Sequence, residues 1–281
     1  LARSGHFGRA AEACSISQPA LSMQIKDLED VLNAQLVERT ARQVRLTSLG
    51  EDLAARAREI LRAVDEIGDL ARASSDRLVG RMRLGVIPTI APYLLPRVMQ
   101  SLSRQHPELD LYIRETITPK LIAELNEGRL DAAIVALPVS EPALTEIDLF
   151  SEKFVLVRPA ADAKAPLPST ERLREMRLLL LEEGHCFRDQ ALSFCDLQSA
   201  APREMLDGSS LSTLVQMVGA GIGVTLLPEM AIRVETRSAD VAVQRFSTPS
   251  PSRRVGMIWR NSTPLQNQLS QLAEIVRQAG E

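Results

Sequence analysis

Residues 7–32 read FGRAAEACSISQPALSMQIKDLEDVL and predict two short helices joined by a tight turn. Apolar residues recur at helical spacing in the first helix as far as Cys14, which we expect on its apolar side in a structural role. After the turn at 15–17, Ser17 is a good N-cap for the second helix, with Pro19 in its first turn. The apolar face of the second helix consists of Leu21, Ile25, Leu28 and Leu32. The pattern indicates a helix-turn-helix, although ordinary amphipathic helix pairs share it.

The second helix also carries side chains suited to contact with DNA. Hydroxyl and amide groups can reach base edges in a groove, and a lysine or a helix N-terminus can meet phosphates. The candidates on or near the polar faces of the helix are Ser17, Gln18, Ser22, Gln24 and Lys26.

Residues 36–47 predict two short strands around a polar tip, where Arg39, Arg42 and Arg45 are concentrated. A basic hairpin beside a helix-turn-helix is typical of a wing that contacts the DNA backbone or the minor groove. The first 50 residues carry six basic and five acidic side chains, a net charge of +1, so the charge signal is local. A solvated arginine-rich face is the alternative.

A long helix is predicted from Thr47 onward. Its apolar residues are spaced four, three, four, three and four apart, at Leu53, Ala57, Ile60, Val64, Ile67 and Ala71. A heptad seam of this kind implies a partner helix and therefore predicts dimerisation, whereas packing within its own domain is the alternative. The helix fades into the polar segment 72–76, which we interpret as a domain boundary.

Beyond Gly80 the pattern changes to alternating strands and helices. Strands are predicted at 82–87, 109–114, 130–137, 147–150 and 153–158, and helices at 93–105 and 120–127. A second series runs through 178–181, 184–195, 209–218, 223–227 and 241–246, and 254–259 and 264–278 close the chain. This rhythm is typical of a mostly parallel sheet in two α/β lobes with ligand space between them. We therefore divide the chain into a DNA-binding head at 1–50, a dimerisation helix at 51–77 and a two-lobed domain at 80–281.

Residues 184–195 read GHCFRDQALSFC and hold two of the three cysteines, Cys186 and Cys195. Cationic neighbours such as His185 and Arg188 can lower the pKa of a thiol. On a helix, nine residues advance about 13.5 Å, whereas a disulfide needs Cα atoms within roughly 7 Å. If this segment is helical, the two thiols cannot bond unless it unfolds, which favours a redox switch. Two buried, inert cysteines are an equally open interpretation.

Three predicted strand ends place polar groups at one cleft. Thr89 and Thr118 follow the first two strands of the α/β part, and His185 and Cys186 follow the strand at 178–181. Ligands of open α/β sheets bind beyond the carboxyl ends of strands. Two hydroxyls, an imidazole and a thiol suit a small, neutral, hydrogen-bonding oxidant. Helix capping by the two threonines is the alternative.

Composition limits the class of protein. A chain of 281 residues has room for about two domains. No apolar run approaches the roughly 18 residues of a membrane span, and no signal peptide is visible. Three cysteines do not make a secreted disulfide scaffold, so we expect a soluble cytoplasmic protein without metal or cofactor. The glycine-rich segment 219–228 lacks the context of a dinucleotide-binding loop.

The segments AAEACSISQPALSMQIKDLEDVL (10–32) and LVERTARQVRLTSLG (36–50) resemble the winged helix-turn-helix of LysR-type transcriptional regulators. The long seamed helix and two lobes are similar to the rest of that architecture. Within the family, IPTIAPYLLP (87–96), LEEGHCFRDQALSFC (181–195) and GIGVTLLP (221–228) resemble the members that sense hydrogen peroxide. The resemblance covers essentially the whole chain, and it implies a further helix before Leu1.

The resemblance implies a role for each matching residue. Cys186 corresponds to a peroxidatic cysteine and Cys195 to a resolving one, which would form a disulfide. Thr89, Thr118 and His185 correspond to peroxide-binding positions, and Arg188 and Asp189 are expected to tune the thiolate and hold the reduced loop. The positions implied on the DNA-reading helix and the wing are Ser17, Gln18, Pro19, Ser22, Gln24 and Arg39.

The implied protein is a homodimeric or homotetrameric activator of oxidative-stress genes. Its implied partners are promoter DNA, RNA polymerase, hydrogen peroxide and a reductant of the glutaredoxin or thioredoxin type, without a membrane. It is not expected to be an enzyme. Two alternatives remain: a thiol peroxidase that turns over peroxide, and a LysR-type regulator gated by a small organic ligand in the inter-lobe cleft.

Overall fold

The computed structural model describes residues 1–2, 4–39, 44–73, 77–194, 207–247 and 250–280. By its internal contacts the chain divides into two compact units, residues 1–67 and 68–281. Three predicted features, Cys195, Arg42 and the connector at 74–76, lie outside the described residues.

The first unit contains the predicted helix pair and hairpin. Its elements are α1 (Phe7–Ala13), α2 (Gln18–Leu32), β1 (Val37–Arg39), β2 (Val44–Leu46) and the start of α3 (Ser48–Ala73). The strands β1 and β2 pair antiparallel. The Ser17 hydroxyl accepts a hydrogen bond from the Ala20 amide at 3.3 Å, which confirms the predicted N-cap. The small core consists of Phe7, Ala10, Ala11, Leu21, Leu36 and Val37.

Two predictions about this unit are wrong. Cys14 is exposed and does not lie on the apolar side of α1, because α1 ends at Ala13 and Cys14 is its C-cap. On α2, only Leu21 is buried and Ile25 packs against the same core. The second half of the predicted apolar face is exposed, with Leu28 at 40% and Leu32 at 43%.

The helix α3 carries an exposed apolar stripe along most of the predicted seam. Ile60, Val64 and Ile67 are 65%, 58% and 66% exposed, and two further leucines beside them, Leu61 and Leu70, are 64% and 60% exposed. Leu53 packs against the core of the first unit, so the interpretation as intradomain packing applies to that end of the seam.

The second unit contains nine strands and seven α-helices among its described residues. The strands are β3 (Gly80–Val86), β4 (Leu109–Glu115), β5 (Ala132–Leu137), β6 (Leu144–Pro159), β7 (Leu180–Leu181), β8 (Asp207–Gly208), β9 (Thr225–Pro228), β10 (Val241–Arg245) and β11 (Ser252–Arg260). The helices are α4 (Ala91–Gln105), α5 (Thr118–Asn126), α6 (Thr170–Glu175), α7 (Cys186–Phe194), α8 (Leu211–Gly219), α9 (Ile232–Glu235) and α10 (Gln266–Gly280). Short 3₁₀ turns lie at Ala160–Asp162 and Glu229–Ala231.

The sheet differs from the prediction in two respects. Its strand order is β10-β6-β11-β5-β3-β4, and β9 also pairs with β6. Within this sheet, β3 is parallel to β4 and β5, whereas β6, β9, β10 and β11 pair antiparallel. The strands β7 and β8 form a separate two-stranded parallel sheet. The strands predicted at 147–150 and 153–158 are parts of one continuous strand, β6. Its first part pairs with β11, and its second part pairs with β9 and β10.

Two hydrophobic cores give the second unit its two lobes. Lobe I is built on β3, β4, β5, α4, α5 and α10, and lobe II on β7, β9, α7 and α8, and β6 contributes to both. The two-lobed α/β fold is therefore confirmed, with β6 as a shared strand. Of the helices that the structure describes, none combines the length and the apolar composition of a membrane span.

Candidate redox pocket and DNA-reading surface

A small pocket lies where α7 meets the loops after β3 and β4. It has an empty volume of about 160 Å³ and is lined by Ile87, Pro88, Thr89, Ile117, Thr118, His185, Cys186 and Phe187. The structure thus brings the two threonines, the histidine and the first cysteine of the predicted cleft together.

Thr89 is buried and is held by an arginine. Nη1 of Arg253 donates to Thr89 Oγ1 at 2.8 Å, and Nη2 donates to the Thr89 carbonyl at 3.0 Å. Because Oγ1 already accepts from Arg253, its own hydrogen is available for a different acceptor. Thr89 does not cap α4, whose N-cap is Ile90 without a side-chain hydrogen bond.

Thr118 presents a hydroxyl that the described protein atoms leave unpaired. Its Oγ1 is buried and has no hydrogen-bond partner among the described residues. The N-cap of α5 is Ile117, with no side-chain cap, so Thr118 is not a capping residue either. A buried hydroxyl without a partner costs free energy, which favours a ligand that pairs with it.

Cys186 is the first residue of α7, a helix of lobe II, but its side chain packs against the core of lobe I. His185, beside it, is half-buried, and this burial lowers the imidazole pKa below its ordinary value, while the Glu182 charge opposes the shift. This shift favours the neutral form of the imidazole at pH 7. A neutral imidazole still offers one hydrogen-bond donor and one acceptor.

The helix α7 spans Cys186–Phe194, so the segment between the two cysteines is helical up to the residue before Cys195. Arg188 is buried and donates from Nη1 to the Leu181 carbonyl at 2.8 Å, which ties α7 to β7. This contact fits the loop-holding part of its expected role. Asp189 is exposed in the first turn of α7, and tuning of the thiolate by these two residues stays a prediction.

Sequence reasoning missed Arg253, which is 3% exposed and lies against both sides of the pocket. Its guanidinium carbon is 5.9 Å from the centroid of the Phe187 ring, in addition to its bonds to Thr89. We considered only the carboxyl ends of strands, but β11 is antiparallel to β5 and begins at that same edge of the sheet. The alternation of side chains along a strand could have indicated it, since Arg253 is a buried position of β11 between two exposed neighbours.

A second polar contact joins the two lobes. The Tyr93 hydroxyl, on α4, donates to Oε1 of the buried Glu235, on α9, at 2.6 Å, and Ser212 donates to the other oxygen. Burial, followed by the hydrogen bond to Glu235, raises the pKa of Tyr93 far above its ordinary value.

We expect this contact to stabilise the protein up to a pH of about 10, where an ordinary tyrosine ionises. Above that pH the unfolded chain loses the phenolic proton while the folded chain retains it, so the free energy of unfolding falls as pH rises. Tyr93→Phe should show a smaller loss between pH 9 and 11 in urea unfolding. The control is Tyr112→Phe at the other, half-exposed tyrosine; equal pH slopes for Tyr93→Phe and wild type would contradict the assignment.

The candidate DNA-reading residues lie at the start of α2. Gln18, Pro19, Gln24 and Lys26 are exposed and Ser22 is half-buried, while the exposed Ser17 uses its hydroxyl as the helix cap. Arg39 ends β1, and Arg45, on β2, is exposed. Among the described residues, no group of three or more acidic, histidine or cysteine side chains could hold a metal ion.

Comparisons with known proteins cover the whole chain. Residues 1–51 match the bacterial regulatory helix-turn-helix protein family of lysR type, and residues 75–281 match the LysR substrate binding domain. A probable hydrogen peroxide-inducible genes activator of Streptomyces viridosporus is 44% identical over 278 residues, which are 98% of this chain and 89% of the relative. The DNA-binding transcriptional dual regulator OxyR of Escherichia coli K12 is 40% identical over 281 residues, which are 99% of this chain and 92% of the relative.

Solved structures give the same result. Full-length OxyR from Pseudomonas aeruginosa, a cysteine variant, is 40% identical, with a TM-score of 0.76 over 99% of this chain and 91% of that one. A cysteine variant of Corynebacterium glutamicum OxyR with hydrogen peroxide bound is 35% identical, with a TM-score of 0.71 over 99% of this chain and 89% of that one.

Proposed function

The chain belongs to the LysR family of transcriptional regulators, and within it to the OxyR group of hydrogen peroxide-inducible activators; on this premise we propose that it senses peroxide through Cys186 and reports the oxidation to promoter DNA. The observation that carries the proposal is the pocket itself. A partly buried thiol lines the same small pocket as the unpaired hydroxyl of Thr118 and the oriented hydroxyl of Thr89. A thiol beside two hydroxyls and an imidazole suits a small, hydrogen-bonding oxidant.

The first step is oxidation of the thiolate. The Cys186 thiolate attacks one peroxide oxygen, a sulfur–oxygen bond forms, the oxygen–oxygen bond breaks and hydroxide leaves. The transferred oxygen keeps its hydrogen, so the product on Cys186 is a sulfenic acid, and the hydroxide takes up one proton to leave as water. Thr89 is placed to donate to a peroxide oxygen, Thr118 can donate or accept, and the neutral His185 can supply a hydrogen bond to the leaving oxygen.

The second step is condensation with Cys195. The Cys195 thiol displaces the hydroxyl of the sulfenic acid, water leaves and a disulfide forms. Cys186 to Phe194 is helical in this structure, and the eight intervening steps span about 12 Å of helix. Disulfide formation therefore requires α7 to unwind and Cys186 to leave the core of lobe I. Lobe II would then have two alternative conformations, one reduced and one oxidised.

The remaining parts of the chain suit the delivery of this change to DNA. We propose residues 1–50 as the winged head, 51–77 as the dimerisation helix and 80–281 as the sensing domain. The exposed stripe on α3 supports a homodimer, and pairing of two dimers into a tetramer would place four heads on a promoter. We further propose contact with RNA polymerase, resetting by a glutaredoxin- or thioredoxin-type reductant, a cytoplasmic location, and no catalytic turnover of peroxide.

The test combines disulfide mapping with footprinting. The full chain is treated with stoichiometric peroxide, disulfides are mapped by mass spectrometry, and reduced and oxidised protein are footprinted on a promoter fragment selected from random DNA. We expect a Cys186–Cys195 bond and a changed footprint. Absence of the bond would overturn the proposal. So would calorimetric binding of a small organic anion that changes the footprint, if the redox state does not change it. Steady-state peroxide consumption with a thiol reductant would favour the peroxidase instead.

A further inference from the structure

We infer that Glu152 is a positioning residue for the peroxide reaction, because it holds Arg253 in the orientation that fixes the Thr89 hydroxyl. This inference rests on the proposed function of the pocket. Glu152 lies on β6, the strand that both lobes share, and faces Arg253 directly across the β6–β11 ladder. Neither residue follows a strand end, so no pattern in the sequence connects Glu152 with Cys186.

The Glu152 carboxylate is buried and both of its oxygens are used. Oε2 accepts from Nε of Arg253 at 2.7 Å and lies 2.7 Å from Nη2, with side chains only 5% and 0% exposed. Oε1 accepts from the backbone amide of Met230 at 3.0 Å, in the 3₁₀ turn before α9. The Glu152 carboxylate is thus held by the Met230 amide of lobe II and binds one edge of the Arg253 guanidinium.

The other edge of the guanidinium faces the pocket. Nη1 donates to Thr89 Oγ1 and Nη2 to the Thr89 carbonyl, while the face of the group lies over the Phe187 ring. A planar fork held along one edge has little freedom to rotate. By accepting from Arg253, Thr89 Oγ1 is left to donate its own hydrogen, which is the polarity that a peroxide oxygen requires.

Fold stability alone is a weak reason for this pair. A buried ion pair is often no more stable than a well-packed apolar pair of similar volume. An apolar pair would not orient a hydroxyl. The same domain offers a matched comparison in Asp131, a carboxylate 1% exposed that pairs with Arg83 at 2.7 Å. Asp131 precedes β5 at the end opposite the pocket.

The experiment compares two reactions of Cys186 in the full chain, with Cys14 and Cys195 replaced by serine so that one thiol is followed. Hydrogen peroxide needs the oriented hydroxyl, whereas iodoacetamide reports thiolate population and access. We expect Glu152→Gln to lower the peroxide rate constant by about tenfold or more relative to the iodoacetamide rate constant. This is less than the roughly hundred- to thousandfold loss seen when an oriented donor is removed outright, because Thr89 keeps its hydroxyl. Asp131→Asn should leave this ratio within about twofold, since it breaks a similar pair without reaching the pocket.

Parallel loss of both rates in Glu152→Gln, or an equal change of the ratio in Asp131→Asn, would show that the pair is only structural. Glu152→Asp keeps the buried charge but moves it away from Arg253 by one methylene. This variant replaces Glu152→Gln in the experiment if Glu152→Gln does not fold. It should lower the ratio by a smaller factor, and an unchanged ratio overturns the inference. A parent protein whose Cys186 does not react with peroxide overturns the proposed function; a reactive parent with an unchanged ratio in the variants overturns only the role of Glu152.

Discussion

Cys186→Ser is expected to abolish the response to peroxide completely, and Cys195→Ser to stop it at a sulfenic acid on Cys186. Serine is not ionised near neutral pH and cannot replace the thiolate as nucleophile. Without Cys195 the first oxidation proceeds, but no neighbouring thiol condenses with its product. Trapping with dimedone followed by mass spectrometry should label Cys186 in Cys195→Ser, label nothing in Cys186→Ser, and show the change of DNA footprint in neither variant.

The control is Cys14→Ser. Cys14 is exposed at the end of α1 in the first unit, and its removal leaves both cysteines of the α7 segment in place. We expect Cys14→Ser to respond like the wild type. Equal responses in Cys186→Ser, Cys195→Ser and the wild type would remove the basis for assigning these two residues to the switch.

The double substitution Val64→Asp/Ile67→Asp in α3 is expected to convert the protein to monomers and to remove most of its affinity for DNA. Val64 and Ile67 are the centre of the exposed stripe. A carboxylate buried without a partner costs several kcal/mol, so two of them should weaken dimerisation by at least about a hundredfold. A monomer contacts one half-site where a dimer contacts two. Sedimentation velocity measures the association, and fluorescence anisotropy with labelled DNA measures the affinity.

Ala55→Asp is the matched control for the charge itself. Ala55 is exposed on the same helix, and at about 100° per residue it lies on the face opposite Val64 and Ile67. The control should remain dimeric and bind DNA normally. A dimer that survives in Val64→Asp/Ile67→Asp would mean that the stripe is not the interface, and equal loss in Ala55→Asp would point to the helix rather than to the stripe.

The sequence predicted what depends on local pattern. Periodicity located α2 and α3, and the rule that the ends of parallel strands meet predicted that Thr89 and Thr118, which follow β3 and β4, lie together. Cys186 follows β7, which pairs with β8 in a separate sheet, and reaches the same pocket from lobe II. The capping geometry of Ser17 was equally local. These features were predictable because the residues that decide them lie within a few positions of one another or follow a general rule of sheet topology.

What failed depends on pairing between distant segments. Nothing near Arg253 shows that β11 begins beside the end of β5, and nothing within 147–158 shows that one strand serves two lobes. The exposure of Cys14 follows from the exact end of α1, which periodicity places only to within a residue or two. The partnership of Glu152 with Arg253 combines both difficulties, since the two residues are 101 positions apart.

The shared strand β6 also limits how much of the protein an oxidation disturbs. It runs as one strand from its pairing with β11 at Leu144 to its pairing with β10 at Pro159, with one register shift opposite Val255 and Gly256. The sheet therefore connects the two lobes through β6, whereas α7 takes no part in the pairing of β6. In the proposed mechanism, oxidation unwinds α7 and reduction lets it form again, while the pairing of β6 that joins the two lobes is unchanged.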